Sequence, residues 1–154
     1  MPITFTKVKL EYGWLSNMSP HRLIYKGKEW KTAEALFQSL RFDNEEIIEA
    51  IRTQKSPFSA KLVAKARGNA NGYITQPRSA EDVENMIMCV RLKTQQHPEI
   101  VRQLKQTGNE RIIEDATNRQ SESSLFWGAA LNAEGNWVGE NKLGEIWMKI
   151  REEL

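Results

Sequence analysis

The 154-residue sequence is poor in the residues that build disulfide-linked, metal-centred or histidine-driven sites. Its one cysteine, Cys89, allows neither an intrachain disulfide nor a cysteine metal cluster. Its two histidines, His21 and His97, are far apart in the chain. A zinc site takes three or four ligands, and a Ser-His-Asp site needs a histidine in one particular place, so both are disfavoured. We therefore expect acid–base chemistry from carboxylates, with no metal site and no cofactor.

Long apolar runs and a strong excess of either charge are also absent. No run of about 18 apolar residues occurs, and the N-terminal residues 1–5 lack the basic and apolar regions of a signal peptide. We expect no membrane association and a cytoplasmic location. The 22 basic and 20 acidic residues give a net charge of +2, which does not mark a dedicated nucleic-acid binder. The length fits a single domain over residues 1–154.

The residue patterns predict an α+β fold, a mainly helical single domain with a small antiparallel sheet. Helical spacing and capping signals predict helices over residues 33–42, 44–52, 57–68, 80–96, 98–107 and 142–153. Strands are predicted over residues 3–10, over 22–30 with a turn near Lys26-Gly27, and over 110–114 and 126–131, with a polar loop at 116–124 between the last two. Gly68 is expected to end its helix, and the helix after Ser79 is expected to bury Val83, Met86, Ile87 and Val90.

The first predicted helix carries two different faces. Ala33, Leu36, Phe37 and Leu40 form an apolar stripe, and Glu34, Gln38 and Arg41 follow one another on a second face about 120° away. Glu34 lies in the first turn, where the helix dipole favours a carboxylate. A carboxylate beside such donors can orient a water molecule or face a developing cation. A row of charged residues is also what a solvated helix face shows, and this alternative stays open.

Other residues are candidates for binding an anion or a flat ring. Lys61 and Lys65 are one turn apart, with Arg67 just beyond, so they can hold a phosphate or simply be solvated. Two further segments each begin with a tryptophan that can stack on a flat ring. In Trp14-Leu15-Ser16-Asn17 it is followed by two hydrogen-bonding side chains, and in Trp127-Gly128 by a glycine, which lets a ligand approach the backbone closely. Asn141 is the expected N-cap of the last helix, whose free amides then face an anion.

In order and spacing, these motifs resemble the NADAR family, from about Trp14 to Leu154. The blocks that carry the resemblance are Leu15-Ser16-Asn17 with Pro20, Gly27 and Trp30, Glu34-Ala35-Leu36-Phe37-Gln38 with Arg41-Phe42, Ser59-Ala60-Lys61, Met86, Leu92-Lys93, Thr107-Gly108, Ile113-Glu114, Trp127-Gly128, and Gly139-Glu140-Asn141-Lys142-Leu143-Gly144 with Met148 and Arg151. The family includes N-glycosidases that act on riboflavin-biosynthesis intermediates and enzymes that remove ADP-ribose from guanine.

The resemblance implies hydrolysis of the C1′–N bond between a phosphorylated ribose and a base. Glu34 and Gln38 would be catalytic, and the reaction passes through an oxocarbenium-like state. The substrate-binding residues it implies are Asn17, Arg41, Lys61, Arg67, Glu114, Trp127, Gly128 and Asn141. Glu114 and Asp115 are both candidates to protonate the leaving base.

Three ligand-directed functions remain open at this point, beside a plain helical interaction domain that binds none of these ligands. The first is an N-glycosidase for ribosylamino-pyrimidine 5′-phosphates, a small-molecule substrate. The second is a hydrolase that removes ADP-ribose from guanine, free or in nucleic acid. The third is a non-catalytic ADP-ribose-binding or NAD-binding module, which stays open because Ser124 stands where the family often has an acidic residue. The sequence does not define an oligomeric state.

Overall fold

The computed structural model describes all 154 residues and confirms a mainly helical α+β fold. The helices are α1 Ala33–Ser39, α2 Glu45–Arg52, α3 Pro57–Asn71, α4 Ala80–Gln96, α5 Pro98–Gln106, α6 Glu122–Trp127 and α7 Lys142–Glu152. The strands are β1 Ile3–Phe5, β2 Leu23–Tyr25, β3 Lys28–Trp30, β4 Ile112–Glu114, β5 Ala130–Leu131 and β6 Trp137–Val138. None of the seven helices combines the length and the apolar character that a membrane crossing requires.

The strands form three separate pairs, which corrects the expectation of one antiparallel sheet. β2 with β3 and β5 with β6 are antiparallel, whereas β1 and β4 are parallel. A parallel pair is possible because β1 and β4 are far apart in the chain, whereas a short hairpin allows only antiparallel strands. The β2–β3 hairpin is confirmed, and its turn residues Lys26 and Gly27 both have positive φ, 49° and 78°, as a tight hairpin turn requires.

The chain divides into two compact units. The central unit is Asn17–Gln96, and the terminal unit combines Met1–Ser16 with His97–Leu154. The expectation that residues 1–154 act as a single domain stays a prediction.

Helix α1 forms the centre of the central unit, in contact with α2, α3, α4 and β3. It begins where predicted because the Thr32 hydroxyl accepts a hydrogen bond from the amide of Ala35 at 3.1 Å, a cap that contributes about 1 kcal/mol. All seven of its residues are buried, the polar ones included. The surface alternative for its polar face is therefore wrong.

Two predictions in the central unit are corrected. Helix α3 continues past Gly68 to Asn71 and ends at Gly72, whose φ of 82° suits a helix C-cap. Gly68 is a packing position instead, since a Cβ there would lie 2.0 Å from the Tyr73 ring. Helix α4 buries Met86 and Val90 as expected, but Val83 and Ile87 are only half-buried. Its buried face instead includes polar residues, namely Asp82, Cys89, Lys93 and Thr94. Asp82 and Lys93 form hydrogen bonds with side chains outside α4. A periodic pattern of apolar residues does not reveal such partners.

The terminal unit packs α7 against β4, and α7 buries the predicted residues Leu143, Ile146, Trp147 and Ile150. The indole of Trp147 donates to the backbone carbonyl of Leu15 at 2.9 Å. Strand β1 ends at Phe5, five residues before the predicted end, because the residues after it turn outward. Leu10, for example, is 53% exposed.

The segment predicted as a strand over 126–131 is a helix in its first part. Helix α6 covers Glu122–Trp127, and only Ala130–Leu131 is extended. The reason is a capping box in which the Ser121 hydroxyl accepts from the Ser124 amide while the Ser124 hydroxyl accepts from the Ser121 amide. The predicted polar loop therefore ends before Glu122.

Candidate functional site

Helix α1 places an acid and an amide side by side in the interior of the central unit. Glu34 and Gln38 are 9% and 5% exposed, and the Gln38 Nε2 donates to Glu34 Oε2 at 2.7 Å. The backbone amide of Glu34 donates to the carbonyl of Asn17 at 3.0 Å, which fixes the first turn of the helix against the preceding segment. A buried carboxylate needs such partners, because unpaired burial of a charge is costly.

The two oxygens of the Glu34 carboxylate have different surroundings. Oε2 accepts a hydrogen bond from Gln38, while Oε1 has no hydrogen-bond partner in the protein. The buried side-chain atoms that lack a partner are the Asn17 Oδ1 and the Trp30 Nε1. Since Glu34 Oε1 is not one of them, it is accessible to solvent. One oxygen is thus held in place and the other can accept a proton or face a positive charge.

Arg41 was expected to bind a phosphate, and in the structure its guanidinium already has partners within the protein. It lies just beyond the end of α1, and its guanidinium binds both oxygens of Asp82, with Nε–Oδ1 at 2.9 Å and Nη2–Oδ2 at 2.8 Å. Its Nη1 donates to Gln38 Oε1 at 3.1 Å, and the group covers the ring of Phe37 at 4.7 Å. Because the bidentate face is occupied by Asp82, a phosphate would have to compete with this ion pair, and the predicted role stays a prediction.

Asn17 is held next to this cluster with one polar atom unsatisfied. Its side chain is 5% exposed, its Nδ2 contacts the Met86 sulfur at 2.9 Å, and its Oδ1 has no hydrogen-bond partner. Buried acceptors without a partner are rare in native proteins. The Asn17 Oδ1 is therefore a buried acceptor that the protein leaves unsatisfied, and its role in binding a substrate stays a prediction.

Helix α4 supplies two buried charged-type side chains, Asp82 and Lys93, that sequence reasoning did not assign to the site. Asp82 is fully buried, and together Glu34, Arg41 and Asp82 carry a formal charge of −1. Their field reaches Cys89: burial, and then the charges of Glu34 and Asp82, raise the pKa of that thiol. Such a negative field suits a positively charged transition state. The helical spacing of Asp82, Met86 and Cys89 was the available signal, but it breaks the apolar pattern.

Lys93 is the second of these groups. Its side chain is fully buried, and its Nζ donates to the Ser19 hydroxyl at 2.7 Å. Burial lowers the pKa of Lys93 from 10.5 to about 7. The Ser19 oxygen lies 2.8 Å from the Nδ1 of His21, so a buried amine, a hydroxyl and an imidazole are connected.

The remaining basic candidates of the central unit lie on α3. Arg67 is bound to both carboxylate oxygens of Glu46, at 3.1 and 2.6 Å, and its Nε donates to Asn71. Its expected role in phosphate binding therefore competes with an existing ion pair. Lys61 is exposed and makes no ion pair, so its ammonium group is available.

In the terminal unit, Glu114, Gly128 and Asn141 are close together. Asn141 is the N-cap residue of α7, as predicted, but its side chain makes no capping hydrogen bond. Its φ is 51°, and its amide binds strand β4 at both ends: Nδ2 donates to Ile112 O at 2.9 Å, and Oδ1 accepts from the Glu114 amide at 3.0 Å. Both polar atoms of the Asn141 side chain therefore form hydrogen bonds with the backbone of β4. Its predicted role in substrate binding stays a prediction. Gly128 likewise packs against Glu114, since a Cβ there would lie 2.5 Å from that residue's carbonyl oxygen.

The side chains expected to protonate or stack on a base also have partners of their own. The Glu114 carboxylate binds Arg119 at 2.8 Å. Asp115 accepts from the amide and the hydroxyl of Thr117 at 2.9 and 2.6 Å. Trp127 is 8% exposed and meets Phe126 edge-on at 4.8 Å, so little of its ring is open for stacking. A cavity of about 640 Å³ in this unit is lined by residues 1–6, 10–13, 106, 107 and 110, none of them predicted site residues.

A known domain family matches almost the whole chain. The NADAR domain model matches residues 4–154. The chain belongs to the NADAR family.

Relatives of this NADAR protein extend over its whole length. N-glycosidase YbiA of Shigella boydii (strain Sb227) is 31% identical over 154 residues, covering 99% of this chain and 88% of that protein. A second N-glycosidase, from Nostoc punctiforme, is 30% identical over 157 residues, covering 100% of this chain and 93% of that protein. A riboflavin biosynthesis protein of Vibrio vulnificus is 30% identical over 158 residues, which is 99% of this chain but 38% of that protein.

A solved structure shares the fold. The NMR structure of Escherichia coli YbiA superposes with a TM-score of 0.77 at 26% identity, covering 99% of this chain and 86% of the other. With the family and these relatives, the NADAR protein is an N-glycosidase, a hydrolase that acts on N-glycosyl bonds. This confirms the enzyme predicted from the sequence, and the alternative of a non-catalytic binding module is set aside.

Proposed function

We propose that this NADAR protein hydrolyses the C1′–N bond of riboflavin-biosynthesis intermediates, the ribosylamino-pyrimidine 5′-phosphates, in the cytoplasm. The observation that carries the proposal is the Glu34 carboxylate, buried with one oxygen held by Gln38 and the other open. The name of the Vibrio vulnificus relative supports this substrate class. The net charge of +2 also favours a small molecule over duplex nucleic acid, which requires many phosphate contacts.

Glu34 serves this reaction in two ways. As the C1′–N bond breaks, the nitrogen leaves with the bonding electrons, and positive charge develops on the ribose ring. The carboxylate stabilises that charge, and because the Arg41–Asp82 pair is neutral overall, it leaves the charge of Glu34 uncompensated. A water molecule then forms the new C1′–O bond and gives one proton to Oε1. The leaving nitrogen takes up one proton from solvent, and Oε1 returns its proton to solvent, so that the carboxylate is restored for the next turnover.

Binding is assigned to residues of the central unit whose polar atoms are available. The Oδ1 of Asn17 accepts a hydrogen bond from the substrate, because it has no partner in the protein. The second hydrogen of the Gln38 amino group can donate to a ribose hydroxyl or to the attacking water. Lys61 is the candidate for the 5′-phosphate, as a mobile point charge.

The test measures the release of free base by chromatography in the presence of a chelator. Two substrates are compared, a ribosylaminouracil 5′-phosphate and an ADP-ribosylated guanine. We expect release from the first, and loss of at least about 100-fold in kcat for Glu34→Gln, which is the size of a general acid–base contribution. Glu145→Gln is the matched control, because Glu145 also lies in the first turn of a helix but is exposed.

Three results contradict the proposal in different ways. An active Glu34→Gln protein refutes the role of the carboxylate. Release from the guanine substrate alone moves the substrate class to ADP-ribosylated bases, free or in nucleic acid. Release from neither substrate, together with a thermal shift on adding ADP-ribose, refutes both substrate assignments.

A further inference from the structure

The hydrogen bonds around Gln38 determine which end of its amide faces Glu34. A guanidinium can only donate, so the Gln38 atom that lies 3.1 Å from the Arg41 Nη1 is the carbonyl oxygen. The amino group then faces Glu34 Oε2, at 2.7 Å. In the reversed orientation, the oxygen would face a carboxylate and the amino group a guanidinium, and both contacts would be repulsive. Arg41 therefore sets the orientation of the amide that holds Glu34.

Arg41 is itself held in one orientation by Asp82, which lies on α4. The two parallel bonds of 2.9 and 2.8 Å fix the plane of the guanidinium as well as its position. Asp82 is fixed in turn, because its Oδ2 accepts from the backbone amide of Arg78 at 2.8 Å and its own amide donates to the Ser79 hydroxyl at 3.2 Å. The ring of Phe37 supports the guanidinium from one side, at 4.7 Å.

The desolvation of both charges makes the Arg41–Asp82 ion pair a weak source of stability in a protein interior. Asp82 is fully buried and Arg41 is 8% exposed, so both charges have lost most of their water. Apolar residues of similar volume often stabilise a core as well or better than a buried ion pair. What apolar residues cannot do is orient an amide. The position of the pair, two hydrogen bonds away from Glu34, therefore points to an orienting role.

We propose that Asp82 and Arg41 are positioning residues for the reactive carboxylate and act on it only through Gln38. They keep Gln38 donating to Oε2, so that Oε1 is the oxygen presented to the substrate. Neither residue touches the substrate. The proposal rests on the proposed role of Glu34 in hydrolysis, and it adds to that role a residue of α4 that no part of the α1 motif includes.

A double-mutant cycle tests this dependence on Gln38. Asp82→Asn keeps the size of the side chain but loses the charge and one acceptor oxygen. We expect kcat to fall about tenfold with KM within about twofold, because the interaction acts in the transition state. In a Gln38→Met background, the same substitution is expected to change kcat by less than about twofold, because the connecting amide is gone. An equal loss in both backgrounds would show that Asp82 acts on the enzyme by another route, and would overturn the proposal.

Two further variants separate positioning from a general loss of structure. Arg41→Lys keeps the positive charge but cannot form the two parallel bonds, so it is expected to show the same fall in kcat. Glu49→Gln is the matched control, because Glu49 and Arg52 form a similar two-bond pair, both at 2.7 Å, on the surface helix α2. Its kcat is expected to match that of the unmodified protein. Thermal unfolding of each variant shows that the assay is made on folded protein.

A measurement without substrate makes the proposal independent of the choice of substrate. The side-chain amino group of Gln38, assigned by the signal that Gln38→Met removes, gives a ¹H–¹⁵N NMR signal. In the unmodified protein, we expect slow exchange with solvent, because this amino group is buried and bound to Glu34. Asp82→Asn should shift the signal and accelerate its exchange, whereas Glu49→Gln should leave it unchanged.

The two readouts separate the failure of each proposal. If the unmodified protein releases no base from either substrate, the proposed function fails, while the NMR comparison still decides the positioning role. If the Gln38 signal is the same in Asp82→Asn as in the unmodified protein, the positioning role is refuted even when hydrolysis is confirmed.

Discussion

The buried amine of Lys93 makes the stability of the folded protein depend on pH in a predictable direction. Burial lowers the pKa of Lys93 from 10.5 in the unfolded chain to about 7 in the folded protein. Below pH 7, both states hold the proton, and the full cost of burying the charge is present. Between pH 7 and 10.5, the unfolded chain holds the proton and the folded protein does not. The free energy of unfolding therefore rises with pH through this window.

The magnitude follows from the size of the pKa shift. One unit of pKa corresponds to about 1.4 kcal/mol, so the rise between pH 7 and 9 approaches about 2 to 3 kcal/mol from this residue alone. Lys93→Met has a similar shape but no charge, and the rise should be absent. The substitution also removes the hydrogen bond to Ser19, which shifts the free energy of unfolding by an amount that does not depend on pH. The informative quantity is therefore the change of the difference between the two proteins with pH.

Urea unfolding followed by circular dichroism at pH 6, 7, 8 and 9 measures this difference. Lys93→Met should have its largest relative advantage at pH 6 and lose it progressively above pH 7. Lys65→Met serves as the control, because Lys65 is exposed on α3, and its difference from the unmodified protein should stay flat. A flat difference for Lys93→Met as well would refute the reasoning, because it would show that the buried amine keeps its proton over the whole range.

Two further predictions concern stability. Gly68→Ala should lower the free energy of unfolding by about 1 to 3 kcal/mol despite the higher helix propensity of alanine, because the new Cβ would overlap the Tyr73 ring. A variant that is more stable than the unmodified protein in urea unfolding would contradict the packing role. Asn141→Ala should lower the free energy of unfolding by about 2 to 4 kcal/mol, because it loses both hydrogen bonds to β4 and places alanine at positive φ. Asn141→Gly should recover only the part of this loss that comes from the positive φ. Equal unfolding midpoints for Asn141→Ala and the unmodified protein would contradict this second account.

The local part of the site could be predicted from sequence, because it depends on the geometry of one helix. Glu34 and Gln38 are four residues apart, and this spacing alone places them side by side once Thr32 caps α1. Whether that face is exposed does not follow from the spacing. It depends on the packing of α2, α3, α4 and β3 around α1, which the pattern of a single helix does not contain.

Partners distant in the chain were not visible in the sequence. The ion-pair partner of Arg41 is 41 residues away, so the sequence pattern did not show that Asp82 occupies its guanidinium. The Asn141 side chain binds β4, 27 and 29 residues away, although Asn141 is the N-cap residue of α7 as predicted. The strand predicted at 126–131 failed for a local reason, because the Ser121–Ser124 capping box was not recognised.

The parallel pairing of β1 with β4 also has a consequence for the order of folding during synthesis. Strand β1 precedes Asn17–Gln96 in the chain and its partner β4 follows it, so β4 is made only after the whole of Asn17–Gln96. The contiguous central unit can therefore form its contacts while the edge of β1 is still unpaired. Closing so long a loop is entropically costly and slow compared with local contacts. We therefore expect the terminal unit to form after the central unit, and the unpaired β1 to be open to wrong partners until then.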